Sequence, residues 1–177
     1  MAAITPAGTA DIFAIAAIYA EHVRSGTATF EIVPPDDAEM GARLAKVLAG
    51  GGVWLVARDG PGAVLGYAYA APFRDRPAYR FTCENSIYIA ADCRGRGLGS
   101  ALLAALLTAA EEAGFRQMIA VIGGAEPASA ALHARAGFTE AGRMRSVGRK
   151  HGRWLDTLYM QRALGAGDRE APEKEPL

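Results

Sequence analysis

The stretch Arg94-Gly95-Arg96-Gly97-Leu98-Gly99 decides how this chain folds, because the hydrophobic pattern changes on either side of it. Before it, Tyr79 to Ala90 reads as one long strand. After it, a run rich in Ala and Leu continues at helical spacing to Ala113. Glycines between a strand and a helix let the backbone come close to a ligand, and the first N–H groups of the helix have no internal acceptor. The helix dipole adds about half a unit of positive charge there, so a pyrophosphate is the natural guest. Arg94 and Arg96 add charge-assisted contacts. A merely structural turn is the plain alternative. A dinucleotide fingerprint needs its third glycine where Ser100 stands, and a phosphate loop of the Gly-Lys-Ser/Thr kind is absent.

On the strand before this turn, alternate residues share a face. Arg80, Thr82, Glu84, Ser86 and Tyr88 fall on one side, and Phe81, Cys83, Asn85, Ile87 and Ile89 on the other. A polar face is costly inside a sheet unless something satisfies it. The strand is therefore either an edge with one solvated face or a central strand whose polar face lines a site.

Further out, Thr9 to Arg24 has helical spacing with Thr9 as cap, and Pro34-Pro35-Asp36 opens a second helix with Asp36 as cap and Glu39 placed to reach back. Val53 to Arg58 and Val64 to Ala71 form a hairpin. Downstream come a strand from Gln117 to Ile122, a helix from Ala128 to Ala136 and two strands between Phe138 and Leu164. The predicted order is α-α-β-β-β-α-β-α-β-β, with a short first strand near Ile4, in one α/β domain over residues 1–165. The tail from Ala166 to Leu177 is disordered by composition.

The 19 basic and 19 acidic side chains cancel, so no field points to nucleic acid or an anionic membrane. The most apolar segment, Leu98 to Ala110, is too short to span a bilayer, and no secretory signal is recognisable. Cys83 and Cys93 read as reduced thiols, and a cytoplasmic location is expected. No His, Cys and carboxylate cluster has metal-ligand spacing, and His22 and His151 read as surface residues.

The glycine turn resembles the Arg/Gln-x-x-Gly-x-Gly/Ala loop of the GCN5-related N-acetyltransferases, the GNAT superfamily. Ser129 to Phe138 is similar to that family's A-x-x-L-Y-x-x-x-G-F segment, with His133 at the Tyr position. Tyr67 to Ala70, Pro72 to Arg80, Glu84 to Tyr88, Arg116 to Met118, Gly152 to Asp156 and the Thr27-to-Glu31 loop look like its phosphinothricin and methionine sulfoximine branch. The resemblance implies a mixed, mostly antiparallel twisted sheet flanked by helices, acetyl-CoA as co-substrate, a small amino-acid-like amine as acceptor, and a homodimer. By position, Arg74, Asp75, Arg76, Glu84, Asn85 and Ser86 would line the acceptor site. Ile87, Tyr88, Ile89, Arg94, Gly95, Arg96, Gly97, Leu98, Gly99 and Ser100 would hold acetyl-CoA.

Acetyl transfer needs a neutral amine, while an α-amino group has a pKa of about 8. Glu84 is the candidate base, directly or through a water. Backbone N–H groups around Ile87 to Ile89 are placed to polarise the thioester carbonyl. His133 is open to two roles, proton donor to the departing thiolate or packed helix residue. Glu126 stands where the family commonly has a cofactor-contacting Asn, so its carboxylate either faces the cofactor or turns away.

Overall fold

The computed structural model describes residues 2–60 and 62–172. The elements run β1 (Ala3–Pro6), α1 (Ile12–Ser25), α2 (Asp37–Ala49), β2 (Val53–Arg58), β3 (Val64–Pro72) and β4 (Thr82–Ile89). They continue with α3 (Leu98–Glu112), β5 (Gln117–Gly123), α4 (Pro127–Arg135), β6 (Thr139–Lys150) and β7 (Arg153–Ala163). This is the predicted order, short first strand included. The strands form one seven-stranded sheet ordered β1-β2-β3-β4-β5-β7-β6. The β4–β5 pair is parallel, and the other pairs are antiparallel.

Alternation along the strands divides the core into two layers. Trp54 and Val56 of β2, Tyr67 of β3 and Tyr88 of β4 pack against Ile15, Ile18, Tyr19 and Val23 of α1 and Met40, Leu44 and Val47 of α2. Leu55, Ala57, Ala68, Ala70, Cys83 and Met118 face the other way and meet Leu102, Leu103, Leu106 and Ala110 of α3. Small residues on the sheet let the leucines of α3 seat closely, so Leu102, Leu103 and Leu106 are fully buried.

Local chemistry sets several boundaries differently from the sequence reading. Thr9 does not cap α1; residues Thr9–Asp11 make a short 3-10 turn, and the buried Asp11 carboxylate accepts from the Gly8 N–H at 2.9 Å and pairs with Arg58. Asp36 does cap α2, accepting from the Glu39 N–H at 2.8 Å, while the Glu39 side chain turns to Arg43 at 2.9 Å. The β4 strand begins at Thr82 because Pro77–Tyr79 also form a 3-10 turn. Most important, β4 is the central strand of the seven, so the edge-strand explanation of its polar face falls. Within the tail expected to lack structure, turns and bends run as far as residue 170, closed by Gly167 N–H to Leu164 O at 2.8 Å and Arg169 N–H to Ala166 O at 3.1 Å. Residues 173–177 lie outside the described part.

Candidate active site

The site begins where the sheet comes apart. β4 and β5 pair only from Thr82↔Gln117 to Asn85↔Ala120, whereas β4 stays paired to β3 as far as Ile89 and β5 to β7 as far as Gly123. Beyond Asn85 the two parallel strands therefore diverge, and Ser86 to Tyr88 face Val121 to Gly123 across a narrow throat. Ala28, Glu126, Ser129 and His133 close its sides.

On the α3 side the throat opens into a groove of about 430 Å³. Ile87 and Ile89 form one wall, the Arg94-to-Ser100 turn the end, and Ala28, Glu126, Ser129 and Leu132 the other wall. Gly95 and Gly97 have φ of +74° and +79°, left-handed values that a side chain would strain. The first intrahelical bond runs from Ala101 N–H to Gly97 O at 3.1 Å, so the N–H groups of Leu98, Gly99 and Ser100 are left for a ligand. No acidic residue stands in the first turn of α3 to compete with an anion. Arg94 lines the groove; Arg96 is exposed and lies outside the lining.

On the other side of the sheet, a cavity of about 560 Å³ lies between α2 and the aromatic residues of β2 and β3. Tyr19, Met40, Arg43, Trp54, Tyr67 and Tyr69 line it, with Ala71, Pro72 and Asp75 at the mouth. Trp54 stacks on Tyr69 with ring centroids 4.3 Å apart. Glu84 pairs with Ala71, and Ser86 with Tyr69, so both side chains stand on this face beside the cavity. Burial raises the Glu84 pKa above its ordinary value, and the nearby charge of Arg74 partly offsets the rise. Tyr88 turns its ring into the same face, packed edge-on to Tyr19 at 5.0 Å. Arg74, Asp75 and Arg76 are all exposed; Arg74 folds over the Phe73 ring at 4.0 Å and donates to the Phe73 carbonyl at 2.8 Å.

Two sequence expectations change, at Asn85 and His22, and two open readings narrow, at His133 and Glu126. Asn85 does not stand on the acceptor face; it is buried on the α3 side, where its carboxamide lies 3.0 Å from Nε2 of His133. His133 is likewise buried, its Nδ1 2.8 Å from Ser129 O, and burial lowers its pKa. Glu126 spends a carboxylate oxygen on the N-terminus of α4, accepting from Ser129 N–H at 2.8 Å, while its side chain still borders the groove. His22 is no surface residue: it lines the groove and its Nε2–H donates to Ile89 O at 3.0 Å. His22, Ala28, Tyr19, Trp54 and Arg43 escaped the sequence reading because only tertiary contact brings them here. Cys83 is buried on the face away from Glu84, and burial pushes its thiol up to about 12. Among the described residues no cluster of His, Cys, Asp and Glu could hold a metal ion, and no helix is long and apolar enough to cross a membrane.

A split between two parallel strands, closed at one end by a glycine turn on a helix N-terminus, defines a known class. Residues 15–138 match the Acetyltransferase (GNAT) family, and the chain belongs to that family and is an N-acetyltransferase. Its relatives narrow the branch. It is 56% identical to the phosphinothricin N-acetyltransferase of Alcaligenes faecalis, over 92% of this chain and 83% of that one. It is 42% identical to an L-methionine sulfoximine/L-methionine sulfone acetyltransferase of Pseudomonas paraeruginosa, over 90% of this chain and 93% of the other. Its fold matches the crystal structure of a phosphinothricin acetyltransferase from Sinorhizobium meliloti in complex with AcCoA, with a TM-score of 0.95 and 50% identity over 98% of this chain and 94% of that one.

Proposed function

We propose that this chain transfers the acetyl group of acetyl-CoA to the α-amino group of a small amino-acid-like acceptor such as phosphinothricin, methionine sulfoximine or methionine sulfone. The observation that carries this reading is the throat: it joins a groove suited to a diphosphate with the face that bears Glu84. Acetyl-CoA lies with its diphosphate on the N–H groups of the glycine turn and its thioester at the diverging edge of β4. The names of the similar proteins support the acceptor class.

Glu84, made more basic by burial, takes the proton of the acceptor ammonium directly or through one water. The neutral amine attacks the thioester carbonyl, whose oxygen gathers negative charge and is held by backbone N–H groups of Ile87 to Ile89. The tetrahedral intermediate collapses, the C–S bond breaks, and CoA leaves as thiolate. His133 packs against Asn85 at the point of divergence, its Nε2 3.0 Å from the Asn85 carboxamide oxygen, which makes it a positioning residue and not the proton donor. Arg74 and Arg76, on the loop whose Asp75 stands at the cavity mouth, offer guanidinium groups to the carboxylate and phosphinate of the acceptor.

The protein works in the cytoplasm as a homodimer. Exposed Met144, Val147 and Trp154 on the β6–β7 hairpin supply an apolar surface for the second copy, and sedimentation of the purified chain tests this. The decisive assay is thiol release from acetyl-CoA with phosphinothricin, methionine sulfoximine, methionine sulfone and the common amino acids. Turnover confined to the oxidised sulfur and phosphorus analogues is expected. Thiol release with none of these amines would overturn the acceptor reading.

A further inference from the structure

From the structure we infer that His22, on α1, completes the diphosphate end of the groove by fixing the end of β4 and leaving Arg94 free for an anion. This rests on the reading that the groove holds CoA, and it adds a residue from outside the glycine turn. α1 crosses the sheet on the face opposite α3, yet its last turn reaches the groove. His22 is the side chain that makes this contact, bordering the same cavity as Ile89, Arg94, Gly95 and Gly97.

Two contacts define its work. The Nε2–H of His22 donates to the carbonyl of Ile89, the last residue of β4, at 3.0 Å. No strand of the sheet pairs with that part of β4 on its β5 side, so the imidazole supplies a lateral tether just before the turn. Its ring also stands edge-on to Tyr88, centroids 5.2 Å apart, which fixes its orientation. Second, Nη2 of Arg94 lies 3.4 Å from the same Nε2. Because that nitrogen already gives its proton to Ile89, it cannot also accept from the guanidinium. The nearest carboxylate, Glu21, is 3.8 Å away, and both of these side chains are about half exposed. Arg94 is therefore placed beside the groove with weak partners on the protein, and its donors remain available for phosphate oxygens.

Direct binding separates this role from any question of acceptor. CoA and 3′-phosphoadenosine 5′-diphosphate, which carries the diphosphate without pantetheine, are titrated calorimetrically into the wild type, His22→Ala and His22→Gln. His22→Ala should weaken both ligands by the same factor, about tenfold. His22→Gln keeps a side-chain N–H for the Ile89 carbonyl and should recover most of the loss for both. Loss confined to CoA would move His22 to the pantetheine and overturn the assignment, as would unchanged affinity in His22→Ala. If His22→Ala fails to fold, the Gln variant decides: affinity near wild type supports the tether, and a tenfold loss overturns it. Failure of both ligands to bind the wild type would instead sink the CoA reading itself.

Discussion

Glu84 carries a raised pKa in the fold, and two measurable consequences follow from the sign of that shift. Glu84→Gln removes the proposed base but keeps the shape, so turnover should fall by roughly 10²–10⁴-fold while CoA affinity is retained; near-normal turnover would take Glu84 out of the role. Folding favours the protonated carboxyl, so its contribution to stability is present below the ordinary carboxylate pKa and is lost as pH climbs through the raised value. The Gln variant should therefore gain melting temperature relative to the parent at neutral pH and not at acidic pH. In the pH profile of kcat/KM, an acceptor amine with a pKa of about 8 sets one limb, and protonation of Glu84 steepens the fall at lower pH. Arg74 is the charge that restrains Glu84, so Arg74→Ala should move that lower break to higher pH. An unmoved break would separate the two residues.

Among the elements, α3 links stability to the groove. Its buried leucines grip the sheet while its first turn meets the groove. Leu106→Ala should cost about 2–5 kcal/mol in denaturant unfolding, because Leu106 is fully buried among small residues that leave little room to collapse. At the other end, Gly97→Ala forces a side chain into a φ of +79°, which costs about 1–2 kcal/mol and should weaken CoA in the same titration. This region was legible in the sequence because its signals are local: a glycine turn, a change of period, a helix of Ala and Leu. The face assignment of Glu84, Ser86 and Tyr88 was legible too, since alternation is a property of any strand. Asn85 was set on the wrong side because a block of neighbouring positions was read together, against the alternation that separates 84 from 85. The throat itself was illegible. It depends on where the β4–β5 register stops, and nothing periodic in either strand marks that point.

Over the whole molecule, the segment from Thr27 to Glu31 borders the groove and touches side chains that line the cavity on the other face. Ala28 borders the groove, and Thr29 Oγ1 lies 2.8 Å from the hydroxyl of Tyr19, which lines the cavity on the α2 side. The buried Lys150, at the end of β6, donates from Nζ to Thr29 O at 2.8 Å, and Gly148 leaves room for the Phe30 ring. Glu31 closes the chain of contacts onto Arg43 of α2 at 2.7 Å. Lys150→Ala leaves that carbonyl without its donor at a cost of about 1–3 kcal/mol, and KM should rise for acetyl-CoA and acceptor together. A rise for one substrate alone would show that the segment does not serve both.

The divergence of β4 from β5 also gives the sheet a third edge, in its interior. An open row of peptide groups ordinarily invites a strand from another protein, the route by which sheets aggregate. Here the row sits at the bottom of a cleft walled by α4 and by the segment around Ala28. The space between the diverging strands is narrow, which disfavours a further strand with side chains on every residue. The same fork that exposes hydrogen-bonding backbone for recognition thereby shields it from other chains.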